Sequence, residues 1–250
     1  MGIKNFLGNI SRLPNFIRDP RLAAILNPGK LALIDQACRQ SEIASIADLG
    51  GGWKVDGGYT FYALEHWNIP KGILVDLKIP PAVLRRKDKF PGLTLIEGSF
   101  GDTEVAKQIG EVDAVLLFDV LLHQVKPDWD EILKLYAPLS RLFLIFNQQY
   151  VSSEHTVRLM DLGEAEYFKN VPYNPNDPKY KDLFRNIDAI HPTSQKPYRD
   201  MKYLWQWGIT DCDLVDAMDH LGFSQVYYYN WGSFGKLKSF ENHAFIFHKR

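Results

Sequence analysis

The chain has 250 residues, a formal net charge of −1, and 46% hydrophobic and 24% charged residues. This suits one large domain, or one domain with an appendage, and a soluble globular class, which excludes disorder and coiled coil. The near-neutral balance gives no global positive field for phosphate backbones, so nucleic acid is not an expected partner.

The run Arg85-Arg86-Lys87-Asp88-Lys89 is the local exception and reads as a solvated helix face. Cys38 and Cys212 lie far apart and form no metal-like or redox pair, so no metal is expected and a reducing, cytoplasmic compartment is. No apolar run approaches the roughly 20 residues that span a bilayer. The opening Met1 to Phe6 lacks a signal-peptide apolar block and has Phe6 where a myristoylation signal wants Ser or Thr.

In chain order, Ile3, Phe6, Leu7, Ile10, Leu13, Phe16 and Ile17 recur at helical spacing, interrupted by Pro14. They predict an N-terminal helical arm within residues 1–40 that covers the edge of the main domain, with a homodimer contact or a membrane-surface helix as alternatives. After the turn at Asn27-Pro28-Gly29, a helix is expected over Lys30–Arg39.

Strands are then expected at 43–49, 72–77, 93–97, 112–118 and 141–147, with helices at about 59–67, after Pro80-Pro81, and at about 103–110 and 128–137. The strand segments are continuously apolar, as in strands buried on both faces, and their alternation with helices predicts a doubly wound, mostly parallel α/β sheet. Residues 150–207 break the rhythm with prolines, polar groups and aromatics, and are expected to form an inserted lid or substrate segment. Thr210 is placed to cap a helix closed by Gly222. Strands at about 224–230 and 243–248 follow, and their short connection implies an antiparallel hairpin.

The chemistry is expected where strand 43–49 breaks into Gly50-Gly51-Gly52. Glycines after a parallel strand and before a helix let a small polar ligand approach backbone N–H groups. A dinucleotide site wants G-x-G-x-x-G, but Val55 stands at the third place. Asp48-Leu49-Gly50-Gly51-Gly52 instead meets D-x-G-x-G, and over roughly residues 40–150 and 210–250 the chain resembles the class I S-adenosylmethionine-dependent methyltransferases.

The resemblance implies a seven-stranded sheet of domain 41–250 closed by the antiparallel hairpin, with S-adenosylmethionine as cofactor. It places Asp48, Gly50, Gly51, Gly52, Asp76, Leu77, Ser99, Phe100 and Asp119 around that cofactor, Asp76 taking the ribose hydroxyls. Two departures stand out: Lys54 occupies the last glycine of the fuller motif, and Ser99 stands where an acid often follows Gly98, leaving open whether Asp102 contributes.

Methyl transfer needs alignment above all, and a base only where the acceptor keeps its proton. His123 and then His191 are the candidate catalytic bases. Gln148, Gln149 and Tyr150, just beyond the fifth strand, and the insertion's Trp205 and Trp207 are candidates for the acceptor, a small molecule such as a sugar or natural-product intermediate. Tyr167, Tyr173 and Tyr198 share that reading, although these aromatics equally form the insertion's own core. The competing readings are a methyltransferase-like binding subunit without catalysis and an NAD(P)-dependent reductase.

Overall fold

The computed structural model describes residues 26–178, 180, 183–192 and 194–250. The expected helix at 3–17, and with it the dimer contact through the arm, lies outside the described residues. Seven strands form one sheet in the order β3-β2-β1-β4-β5-β9-β8. Their ranges are β1 Ser45–Leu49, β2 Lys71–Asp76, β3 Leu93–Glu97, β4 Val112–Phe118, β5 Ser140–Tyr150, β8 Phe223–Phe234 and β9 Leu237–Lys249. The sheet is the doubly wound, mostly parallel one expected, with an antiparallel hairpin at its end. The chain divides into two compact units, residues up to Leu116 and those from Leu117 onward.

In the first unit, β1 runs parallel to β2 and to β4, and β2 parallel to β3. Between the strands lie α1 (Pro28–Gln40, before β1), α2 (Gly58–His66), α3 (Pro81–Lys87) and α4 (Thr103–Ile109). Local chemistry sets their ends. Asn27 accepts from the Gly29 N–H and Asp102 from the Glu104 N–H, each satisfying a helix-start donor that has no partner inside its helix. Asp113 of β4 accepts from the Ala44 and Ser45 backbone and from the Ser45 hydroxyl, which pins the start of β1 to β4. Ile46, Ala47, Leu49, Ile73, Leu74 and Val75 are buried, as continuous apolar runs require.

In the second unit, α5 (Trp129–Tyr136) precedes β5, which pairs antiparallel with β9, itself antiparallel to β8. Thr210 accepts from the Asp213 N–H and caps α7 (Asp211–His220). The hairpin is longer than expected: residues 231–234 and 237–242, polar and glycine-bearing, stay in the strands, and Gly235 turns at φ 57°.

β5 also outruns its expected end at residue 147. Gln148, Gln149 and Tyr150 read as loop because they are polar, but Asn242, Glu241 and Phe240 of β9 pair with them. Residues 151–207 carry β6 (Val157–Arg158), α6 (Glu164–Asn170) and the first residue of β7 (Trp207–Gly208), with β6 antiparallel to β7. They build an apolar cluster with Tyr167, Leu204 and Trp205 that includes Leu122, Tyr150 and Phe240.

Candidate functional site

In the first unit the glycine loop folds over two carboxylates. Asp48, at the end of β1, is 1% exposed, and its Oδ2 accepts from the Thr60 hydroxyl at 2.6 Å. Burial pushes its carboxyl up to about 6, against the pull of Thr60 and Lys30. Gly51 lies directly on this carboxylate, which a Cβ would overlap. A Cβ at Gly52 would come within 2.9 Å of both Asp76 Oδ2 and Pro80 Cδ.

Asp76, ending β2, accepts at Oδ2 from Gly52 N (2.9 Å) and Trp53 N (3.0 Å). It thereby holds the loop open with its backbone close by. Gly50, at φ 80°, continues the β1 line by donating to the Val75 carbonyl.

The interruption at Trp53–Asp56 closes on itself as a side turn. Lys54 (φ 61°), Asp56 (φ 47°) and Gly57 (φ 71°) are left-handed, and the Asp56 and Gly57 N–H groups return to the Gly52 and Gly51 carbonyls. The chain is thus back at the loop when α2 begins at Gly58. Trp53 is 70% exposed, with the Lys54 ammonium 4.2 Å from its ring centroid.

Beyond β2, Leu77 is exposed, while Ser99 and Phe100 after β3 are half-buried. The Asp102 Oδ1 is taken by the cap of α4. Sequence reading missed Thr60 and the buried Lys30. Both sit in helices with no motif around them, and only the fold brings them to Asp48.

In the second unit, Asp119 follows β4 at φ 58° and donates its N–H to the Phe146 carbonyl. Its Oδ1 accepts from Gln148 Nε2 at 2.8 Å, and that nitrogen also reaches Asn242 Oδ1 at 3.2 Å. Strand alternation puts Gln148 and Tyr150 on this face and Gln149 on the other, where its Oε1 accepts from Asn147. The structure therefore brings Asp119 and Gln148 together and separates Gln149 from them. Asn242 was missed because only the strand pairing places it beside Gln148.

His123 lies in the 3-10 turn Leu121–His123, its Nδ1 2.9 Å from the Leu204 carbonyl and its ring edge-on to Trp205. A carbonyl only accepts, so Nδ1 carries the hydrogen and the neutral ring keeps its lone pair on Nε2. His191 has the reverse tautomer: its Nδ1 accepts from Ser194 N at 3.2 Å, and its ring meets Tyr198 edge-on. Trp205 is buried against Phe240, and Trp207 donates its Nε1–H to the Gln124 carbonyl at 2.7 Å under the Arg158 guanidinium.

Among the described residues, no group of three or more His, Cys, Asp or Glu is placed to hold a metal, and no helix is long and apolar enough to cross a membrane.

The sheet order, the glycine loop over its two acids and the terminal hairpin define a class I methyltransferase fold. Among solved structures, the chain is similar to Burkholderia thailandensis 1,6-didemethyltoxoflavin-N1-methyltransferase, crystallised with 1,6-didemethyltoxoflavin and S-adenosylhomocysteine (TM-score 0.57, 16% identity, 98% of this chain and 86% of that one). It is also similar to mitomycin 7-O-methyltransferase (TM-score 0.52, 12% identity, 89% of this chain and 53% of that one). A third is Synechocystis magnesium protoporphyrin IX methyltransferase with S-adenosylhomocysteine bound (TM-score 0.51, 9% identity, 89% and 82%). No protein-family model and no curated protein sequence matches the chain.

Proposed function

We propose that the protein is an S-adenosylmethionine-dependent methyltransferase acting on an oxygen or nitrogen of a small molecule. The observation that carries this reading is the glycine loop itself. Its backbone is kept bare where side chains at Gly51 and Gly52 would collide with Asp48 and Asp76, and this cradle fits a cofactor that must approach the main chain closely. The similar structures described above are methyltransferases named for 1,6-didemethyltoxoflavin, mitomycin and magnesium protoporphyrin IX, which favours a small-molecule acceptor here.

When bound, the cofactor supplies an electrophilic methyl group. The chain's residues do the rest. Asp76 has Oδ2 committed to the loop and offers Oδ1 to the ribose hydroxyls. Leu77, Ser99 and Phe100 would border the adenosine. Asp119, fixed by Gln148, presents a carboxylate to the methionine ammonium or to an acceptor amine. His123, its Nδ1–H anchored on Leu204, would be the base that takes the acceptor proton at Nε2. His191 is the weaker candidate, because its Nδ1 lone pair is committed to Ser194.

Calorimetry with S-adenosylhomocysteine tests the reading. The wild-type chain is expected to bind it, and Asp76→Asn, which keeps an acceptor for the loop N–H groups, to bind at least about tenfold more weakly. Binding of NADH with no heat from S-adenosylhomocysteine would overturn it in favour of a reductase. Cofactor binding with no labelled methyl passing to small molecules of a cell extract would instead indicate a binding subunit.

A further inference from the structure

An open surface cavity of about 550 Å³ in the second unit is lined by Tyr150, Glu166, Lys169, Asn170, Lys236 and Lys238, with the serines Ser152 and Ser239. Its size falls in the range of small-molecule sites. Three elements build it. α6 presents Glu166, Lys169 and Asn170 at the i, i+3, i+4 spacing of one helix side; β5 ends at Tyr150; and the turn of the terminal hairpin brings Lys236 and Lys238.

The charges do not balance. The Lys169 ammonium is 2.5 Å from Glu166 Oε1, which uses the cavity's one carboxylate. Lys236 and Lys238 form no ion pair among the described residues, although they stand two positions apart on the same rim. Two unneutralised cations beside the Ser152 hydroxyl and the Asn170 amide suit the oxygens of a carboxylate or phosphate, which accept charge-assisted and neutral hydrogen bonds together. The Tyr150 phenol, raised by burial and by Glu166, stays protonated and offers a further donor with an aromatic wall.

The cavity also continues a feature already described. Lys238, Phe240 and Asn242 share one face of β9 by strand alternation. On that face the Phe240 ring packs on Tyr150 and Asn242 meets Gln148, which holds Asp119. Asn242 lies four residue steps along the strand from Lys238, a span of about 13 Å.

We propose that this cavity is a binding site for an organic anion, a carboxylate or phosphate monoester, and that it receives the anionic end of the acceptor. The second clause rests on the methyltransferase reading; the first does not.

Benzoate, phenyl phosphate and the neutral benzamide, titrated into the full chain and followed by heat and by NMR shifts, provide the test. At least one anion is expected to bind saturably and benzamide not, and which anion binds better distinguishes a carboxylate from a phosphate ligand. Binding is expected to weaken at least about tenfold in K236E/K238E. It should hold in K87E/K89E, which makes the same change in net charge at exposed positions of the first unit. In Glu166→Gln, which frees Lys169, it is expected to tighten.

No saturable binding of either anion, or equal binding by K236E/K238E and wild type, overturns the site. Anion binding with S-adenosylhomocysteine binding intact in every variant supports both clauses. Anion binding by a protein that takes no S-adenosylhomocysteine keeps the site and overturns its assignment to an acceptor.

Discussion

Asp48 shows how one residue ties the glycine loop to pH. Its folded carboxyl is raised from 3.8 to about 6 because burial outweighs the Thr60 hydrogen bond and the Lys30 charge. A raised folded value means that the native state holds the proton more tightly. The stabilisation is full below the unfolded value near 3.8 and is lost as pH rises through about 6. The swing is on the order of 3 kcal/mol at most.

Asp48→Asn keeps an acceptor for Thr60 and removes the ionisation. Its urea midpoint relative to wild type is therefore expected to rise between about pH 4 and about pH 7. A constant difference across that window would show that Asp48 does not ionise as described. Gly51→Ala tests the same contact sterically: its Cβ overlaps the carboxylate, and a loss of about 1–3 kcal/mol is expected from unfolding curves.

At the scale of elements, ion pairs with one buried member join segments that are distant in sequence. Asp200 is 5% exposed and pairs with Lys126 and Arg158, tying the insertion to the turn before α5. Burial works against its charge, but the lysine and arginine prevail and its carboxyl lies below the usual range, so its contribution is present above the unfolded value and lost as pH falls. Asp200→Ala leaves the Arg158 guanidinium short of an acceptor and is expected to cost roughly 2–3 kcal/mol, with faster amide exchange across residues 157–208 as the measurement.

His243 does comparable work between α7 and β9. Burial disfavours its charged ring, but Asp211 at Nδ1 and Glu241 at Nε2 raise its value above 6.5, so its stabilisation is full below 6.5 and lost as pH rises through the folded value. His243→Gln is accordingly expected to fall furthest behind wild type in mildly acidic solution and to approach it in alkaline solution. A gap that widens with pH would reverse the assignment.

These links also explain what the sequence could show. The strands were legible because a strand buried on both faces announces itself as an uninterrupted apolar run, as in Ala114 to Phe118 or Leu142 to Phe146. The Asp48-to-Gly52 motif was legible because its constraint is local, a backbone lying against its own strand-end acid. The insertion was not. His123 meets Leu204 across 81 residues and Trp207 meets Gln124 across 83, through polar groups that carry no periodicity. Gln148 to Tyr150 likewise looked like loop because polarity masks pairing with a partner strand almost a hundred residues away.

For the molecule as a whole, the charge total says less than its distribution. The net charge of −1 leaves no broad field, yet Lys236 and Lys238 form no ion pair among the described residues, so selection for an anion would be local and governed by the cavity. A cofactor that binds the native state alone stabilises it by mass action, by about 2.7 kcal/mol at a hundredfold excess over Kd. For a chain of this size that corresponds to a rise in Tm of roughly 5–10 °C. S-adenosylhomocysteine is expected to produce such a rise and NADH none. Because the chain comprises two compact units, the scan is best followed by far-ultraviolet circular dichroism alongside tryptophan fluorescence. If the two probes move together, the cofactor's binding energy stabilises the whole fold. If only one moves, the stabilisation stops at part of the chain, and a rise seen with NADH instead would remove the basis for reading the glycine loop as a methyl-donor cradle.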